Sequence, residues 1–494
     1  MTGRADGLLS KRVEDNWLML QACLASAPDL KRMPFEWNGS LAFVVWIDGL
    51  VAAERIQMGL SILRLEEVSK KSISSLKHLG LQALWMSMNA TEKRDDVVTA
   101  VLGGKAVLFQ DGLGTAFIWD VESLPGRQVD RAEKEPTLQG PQEAFVENRV
   151  LNIALLRKRL RSPDLRILDF TIGERTKTTV SLLYVEGITK PQLVQEVSSR
   201  LSKVCIDGVV DMNVVREWIT DAPRTIFPTI EETERPERVV SGLLQGRVAI
   251  VVDGNPTCMV LPATFAQFIT SPEDYYMHYT LALPLRLLRH IMFWSSVLLP
   301  AVYVSLLTYN QDLVPTPLVQ TISSQRTGIP FPTVFEALFM MFAFEALREA
   351  GTRLPRAVGQ SVSIVGTLVI GEAAVRAGIV SAGMIIIVAA TGIASFTAPA
   401  LGMVQATRLL QFLFVLCAGL FGLYGVAILG ILLIVHLASI RSFGVPYLAP
   451  VGPTILTDWK DALVRAPWWD MGRRPEEFEP VDPKRARGRR QIRP

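Results

Sequence analysis

The sequence is poor in the side chains from which most reaction centres and metal sites are built. Its 494 residues include only four cysteines and four histidines. Cys23, Cys205, Cys258 and Cys417 lie far apart with no paired spacing, which argues against a disulfide framework or a thiolate metal site and fits a reducing compartment. His78, His278, His290 and His436 are isolated from one another, and a single histidine is more often structural than catalytic. No glycine-rich phosphate loop and no nucleophile elbow occurs. The first sixteen residues, MTGRADGLLSKRVEDN, have no apolar core of signal-peptide length, so the first domain is expected to stay in the cytoplasm. These absences point away from an enzyme, and no cofactor or metal is expected.

Net charge is also small, at +3, but it is unevenly placed. A basic run, KRARGRRQIR over 484–493, follows an acidic stretch with prolines over 475–483. Such blocks are usually solvated and disordered, and next to a membrane they contact anionic lipid. No aromatic residue interleaves with these charges, so nucleic-acid binding is not expected.

Long apolar runs are scarce before residue 280 and crowded after it. The expected fold class is therefore a two-lobed α/β soluble N-terminal domain followed by an all-α polytopic membrane domain. Residues 357–403 have about the length of two bilayer crossings at ~20 residues each and are diluted by Gly359, Gly366, Gly371, Gly378, Gly383 and Gly392. Small residues let helices approach closely in lipid. On the first helix of this hairpin, Gln360, Ser363, Thr367 and Gly371 share one side; that stripe either lines a pore between several copies or forms the seam between helices. Other spans are expected at 287–307, flanked by Arg286 and Arg289, and at 409–437. Residues 331–351 hold Glu336 and Glu345 among apolar neighbours. Acidic groups at membrane depth are costly and mark functional sites, unless this helix is re-entrant and Glu345 pairs with Arg348. Glu372 is expected to pair with Arg376. A spanning helix gives five crossings and a re-entrant one four; the basic tail favours four, with both termini inside, although Arg353 then lies outside.

The soluble half contains an internal repeat. Residues 95–119 align without a gap on 237–261: each has a helical pattern, a glycine, a basic residue, a strand, an Asp-Gly turn and a strand. WIDGLV at 46–51 echoes YVEGIT at 184–189. The expected organisation is an N-terminal helical segment (1–33), lobe one (34–135), an amphipathic connecting helix (136–163) whose basic end is a solvated face, lobe two (164–280), a membrane domain (281–440), a juxtamembrane segment (441–474) and a disordered basic tail (475–494). TIGERTK at 171–177 reads as a charged hairpin tip.

Several ordered blocks carry a resemblance. FPTIEETERPERVVSGLLQGRVAIVVDGNP from 227, SPEDYY at 271–276, REAGTRLP at 348–355, TGIASFTAP at 391–399, RSFGVPYLAP at 441–450 and RAPWW at 465–469 resemble the A-subunit family of spore germinant receptors, from about residue 48 onward. The resemblance implies a nutrient receptor subunit in the spore inner membrane, acting with a transporter-like B subunit and a lipoprotein C subunit. It also implies homo-oligomers that form a cation channel opened at germination. A paralogous branch associates instead with dipicolinate release, and a non-conducting scaffold that couples the other subunits is the alternative from a different class.

Overall fold

A computed structural model describes residues 7–37, 39–69, 88–121, 132, 135, 137, 139–353 and 371–486, without the side chains of 62–69 and 352. The chain divides into two compact units, one of residues 1–223, 230–263 and 468–494, the other of 224–229 and 264–467.

The first unit holds both lobes. Lobe one has α1 (Val13–Cys23), β1 (Leu30–Trp37), β2 (Ser40–Ile47), α2 (Ala53–Ser69), β3 (Met88–Thr91), α3 (Arg94–Leu102), β4 (Ala106–Gln110) and β5 (Ala116–Trp119). After α4 (Arg149–Arg159), lobe two has β6 (Leu165–Ile172), β7 (Thr178–Val185), α5 (Pro191–Ser202), α6 (Met212–Ile219), β8 (Glu231–Thr233), α7 (Pro236–Leu244), β9 (Val248–Val252) and β10 (Cys258–Leu261). The sheets are antiparallel, ordered β1-β2-β4-β5-β3 and β6-β7-β9-β10-β8. The two orders match position for position. From α3 to β5, every boundary recurs in α7 to β10 at a shift of 142 residues: 94 to 236, 102 to 244, 106 to 248, 119 to 261.

The sequence reason for that identity is local. Both α3 and α7 end at a glycine with positive φ, Gly104 at 82° and Gly246 at 94°. In each, the next amide, of Lys105 or Arg247, donates back to the carbonyl of Ala100 or Gly242, and the left-handed conformation this closure needs strains any residue with a Cβ. Inside, Phe43, Val44, Val45, Val107, Leu108 and Phe109 fill lobe one, and Leu183, Ala249, Val251 and Val260 fill lobe two.

Three expectations are corrected here. The connecting helix does not begin near Pro141: its N-cap is Asn148, whose side chain accepts from the amides of Val150 and Leu151, a stronger start signal than the proline. Its basic end is not wholly solvated either, since Arg157 is 1% exposed and makes a two-point contact with Asp29 at 2.6 and 3.1 Å. The C-terminal stretch 475–486 also departs from the expected disorder. Phe478 is buried under the Arg247 guanidinium, the amide of Val481 donates to the Ile188 carbonyl, and Pro480 packs on Gly246. This strap covers lobe two; residues 487–494 lie outside the described part. TIGERTK forms the β6–β7 tip, where the amides of Glu174 and Arg175 donate to the carbonyls of Ile206 and Asp207.

The second unit is helical: α8 (Phe265–Ile269), α9 (Tyr279–Thr308), α10 (Thr316–Gln325), α11 (Thr333–Arg353), α12 (Ala382–Ser395), α13 (Leu401–Ser439) and α14 (Trp459–Ala462), with a helical turn over 371–376. Two of these, α9 and α13, are long and apolar enough to cross a membrane. Arg286 and Arg289 lie inside α9, not on its flank. The helix described in the second half of the hairpin expected over 357–403 ends at Ser395, and the last residues of that stretch belong to α13.

Stretch α13 is not one rod. A 39-residue straight helix would be about 58 Å long, nearly twice the ~30 Å hydrocarbon thickness. Gly422 has non-helical backbone angles, φ 60° and ψ −149°, and a Cβ on Gly425 would lie 2.5 Å from the carbonyl oxygen of Cys417, eight residues back. The chain therefore reverses at Gly422, giving arms 401–421 and 423–439. Each arm is capped by the end of α9: the Tyr309 hydroxyl donates to the carbonyls of Gly419 and Leu420 at 3.0 and 3.2 Å, and Asn310 Oδ1 accepts from the Leu423 amide at 3.3 Å. The expected single span over 409–437 is corrected to this hairpin.

Candidate functional site

Among the described residues, three polar clusters interrupt the apolar packing of the helical unit. At one end, Glu336, in the first turn of α11, accepts from Arg326 Nη2 at 3.1 Å and from the Ser381 amide at 2.9 Å. Its side chain has no exposed surface. Ser381 is the N-cap of α12, so the carboxylate also faces the positive end of a helix dipole. Glu336 is thus buried, and its charge is paired within the chain.

The second cluster lies further along α11 and α12, where Phe344 packs at Gly392. Glu345 Oε1 is 3.1 Å from Arg348 Nη1 and 3.5 Å from Arg408 Nε, while Arg348 Nη2 donates to Ser395 Oγ at 3.2 Å. Thus 336 meets 381 and 348 meets 395: α11 and α12 run parallel. Helix α11 carries the chain from the Glu336 cluster to the Glu345 cluster without turning back. The pairing of Glu345 with Arg348 stands.

The third cluster joins the segment before α9 to the segment after α13. Asp274, with no exposed surface, receives Arg286 Nε at 3.1 Å and both terminal nitrogens of Arg289 at 3.0 and 3.1 Å. Arg465 Nε donates to its backbone carbonyl at 3.3 Å. Tyr275 donates to Asp461 at 2.6 Å and lies beneath the Arg465 guanidinium. Burial first, then the charge of Asp461, raises the Tyr275 phenol well above its ordinary value, so it is a fixed donor. The blocks SPEDYY and RAPWW, far apart in sequence, meet here.

Of the residues expected to line a pore, Gln360, Ser363 and Thr367 lie outside the described residues. Gly371 is described, and a Cβ there would meet Ile385 of α12 at 3.7 Å, the packing of a helix seam. Glu372 pairs with Arg376 at 2.5 Å on an exposed surface, as expected from their four-residue spacing. The Asp274 cluster was missed by sequence reading; its one signal was the pair of arginines, 286 and 289, three apart inside an apolar helix. Among the described residues no group of histidine, cysteine or carboxylate side chains is placed to hold a metal.

The family model for Bacillus/Clostridium GerA spore germination proteins matches residues 19–477. This chain belongs to the GerA spore germination protein family. The likeness read from its sequence blocks is thereby borne out, and with it a role in spore germination. Among relatives of this GerA protein, spore germination protein KA of Bacillus subtilis is 40% identical over 89% of this chain and 81% of its own length. The B. subtilis membrane protein YfkQ is 39% identical over 95% and 91%, and spore germination protein GerLA of Bacillus cereus is 38% identical over 78% and 79%. A solved structure, the N-terminal domain of the A subunit of the Bacillus megaterium spore germinant receptor GerK3, aligns with 53% of this chain and 99% of its own at 28% identity and a TM-score of 0.41. None of these names describes an enzyme.

Proposed function

We propose that this GerA protein is the A subunit of a nutrient germinant receptor in the spore inner membrane, a multi-pass protein whose copies assemble around a cation-conducting path and act with the transporter-like and lipoprotein subunits. The helix directions support the multi-pass reading. One end of the helical unit holds Arg286, Arg289, Arg348, Arg408 and Arg465, and there Gly402 packs on Pro228 and His436 meets Thr225. The other end holds Arg326 and Arg376. The basic end is cytoplasmic by the positive-inside rule. Helix α9 leaves it, α11 returns, α12 runs the same way as α11, and the arms of α13 leave and return. On this reading Arg353, at the end of α11, lies inside.

The observation that carries the oligomeric reading is that Glu336 and Glu345 are each satisfied by arginine within one chain. A cation path through a single copy would have to run past those guanidinium groups, so the path belongs between copies. The same pairing favours a second reading, a scaffold that couples the other subunits without conducting. The two separate in liposomes loaded with potassium and carrying the chain with its two partner subunits. Channel function gives germinant-dependent efflux that Thr367→Leu changes without altering oligomer size. A well-formed assembly that stays tight in nutrient overturns conduction and leaves the scaffold.

A further inference from the structure

The cluster at the cytoplasmic end of α11 and α12 has more cationic donors than its own chain uses. Two guanidinium groups, Arg348 and Arg408, share one carboxylate oxygen of Glu345, which leaves one positive charge over. Arg348 is held rigidly: its side chain is 10% exposed, and its guanidinium lies 5.0 Å from the Phe344 ring centroid and 4.9 Å from that of Phe396. Its Nη groups are occupied by Glu345 and Ser395, and its Nε has no partner. Arg408 differs. Its side chain is one-third exposed, and among the described residues none of its donors makes a hydrogen bond; even its Nε, 3.5 Å from Glu345, makes only an ion pair.

The surroundings say where those donors are. Phe396, in contact with Arg348, is exposed, as are Ile393 on α12 and Leu401, Leu409 and Leu413 on the same helix as Arg408. On the membrane reading, such apolar side chains lie in the hydrocarbon edge, and an arginine on the same helices extends toward the headgroup layer. The planar fork of Arg408 presents parallel N–H groups that match two oxygens of a phosphate. Arg348 behind it supplies fixed positive charge, and Glu345 keeps the pair from separating when the site is empty.

We propose that Arg408, backed by Arg348, binds the phosphodiester headgroup of an anionic phospholipid at the cytoplasmic end of the α11–α12–α13 seam. The phosphate would be anchored to the first arm of α13 and to the ends of both neighbouring helices, so an occupied site ties those three helices together. The proposal rests on the membrane-spanning reading of this unit.

The test is native mass spectrometry of the full detergent-solubilised chain, titrated with phosphatidylglycerol, with phosphatidylcholine and with inorganic phosphate. Wild type should hold phosphatidylglycerol in preference to phosphatidylcholine, and Arg408→Gln should weaken that binding about fivefold, the effect of one basic side chain on anionic lipid. Arg353→Gln is the control, since Arg353 is exposed and paired with Glu349; it should leave lipid retention unchanged. Equal retention of the two lipids, or an Arg408→Gln variant that binds like wild type, overturns the proposal. Retention of inorganic phosphate with no lipid preference overturns the lipid assignment in favour of a soluble anion. A chain that needs no detergent to stay in solution would instead overturn the membrane reading.

Discussion

The two lobes share their strand order and, over α3–β5 and α7–β10, their element boundaries to the residue, yet they spend their polar residues differently. In lobe two, Glu231 on β8 is buried and ion-paired with Arg238 and with Arg247. At the matching positions, 142 residues earlier, lobe one has Asn89, Asp96 and Lys105. Lys105 is half-buried and reaches Asp120 at 3.3 Å, and Asp96 accepts from Thr91 at 2.8 Å on the surface. What differs is the cover. The strap 475–486 closes over Arg247 and makes a buried charge pair necessary, whereas the open position in lobe one tolerates a lysine. Backbone signals, such as a glycine where φ is positive, recur in both lobes because the same helix ends need them; side-chain pairs differ with what lies on top of them.

The sharpest way to break the comparison is at the joint between the lobes. Asp29→Ala leaves Arg157 buried without its partner, a loss of about 3–5 kcal/mol. Calorimetry should show the melting temperature falling and, if the lobes are held together by this pair, one transition resolving into two.

Lobe two alone should then show an acid-sensitive step. Burial works against the charged form of Glu231, but Arg238 and Arg247 outweigh it and hold the carboxyl below its ordinary 4.5. A depressed folded value means that the stabilisation is complete above about pH 4.5 and is lost as pH falls toward the folded value. Glu231→Gln should remove roughly 3 kcal/mol at pH 7 and flatten the acid limb, while Asn89→Ala leaves that limb in place. Urea unfolding at pH 7 and in steps below 4.5 reads both. Nearby Glu135 has the opposite sign: burial raises it more than Arg238 lowers it, so its contribution falls as pH rises. The measured acid limb is the difference of the two.

The smallest effect compares the helix ends. Gly104→Ala and Gly246→Ala each force an L residue into the left-handed region, at about 1–2 kcal/mol. At Gly246 the new Cβ also meets Pro480 at 3.2 Å, so that variant should be the worse of the two in thermal unfolding. Equal losses would show that the strap yields freely.

These lobes were legible because their signals are local: Gly104 and Gly246, Asp111-Gly112 and Asp253-Gly254, and alternating apolar strands all lie within a few residues of what they specify. The helical unit was legible in kind and not in course. Nothing in the apolar run around Gly422 distinguishes a straight helix from a reversal; the reversal is fixed by Tyr309 and Asn310, more than a hundred residues earlier. Length was the available signal, since residues 401–439 exceed one bilayer crossing. Burial of Arg157 escaped for the same reason, its partner Asp29 being 128 residues away. Pairing of Glu345 with Arg348 and of Glu372 with Arg376 was readable because helical spacing makes such pairs local.

The Gly422 reversal also bears on how the chain is made. The groups that close the hairpin, the Tyr309 hydroxyl and the Asn310 side chain, belong to the end of α9, and the carbonyls and the amide they bind follow 110 to 113 residues later. A ribosome working from N to C terminus therefore delivers the lock before the part it fastens. When the second arm emerges, its turn can be captured as it forms, and the two arms pack as a pair already joined at the tip.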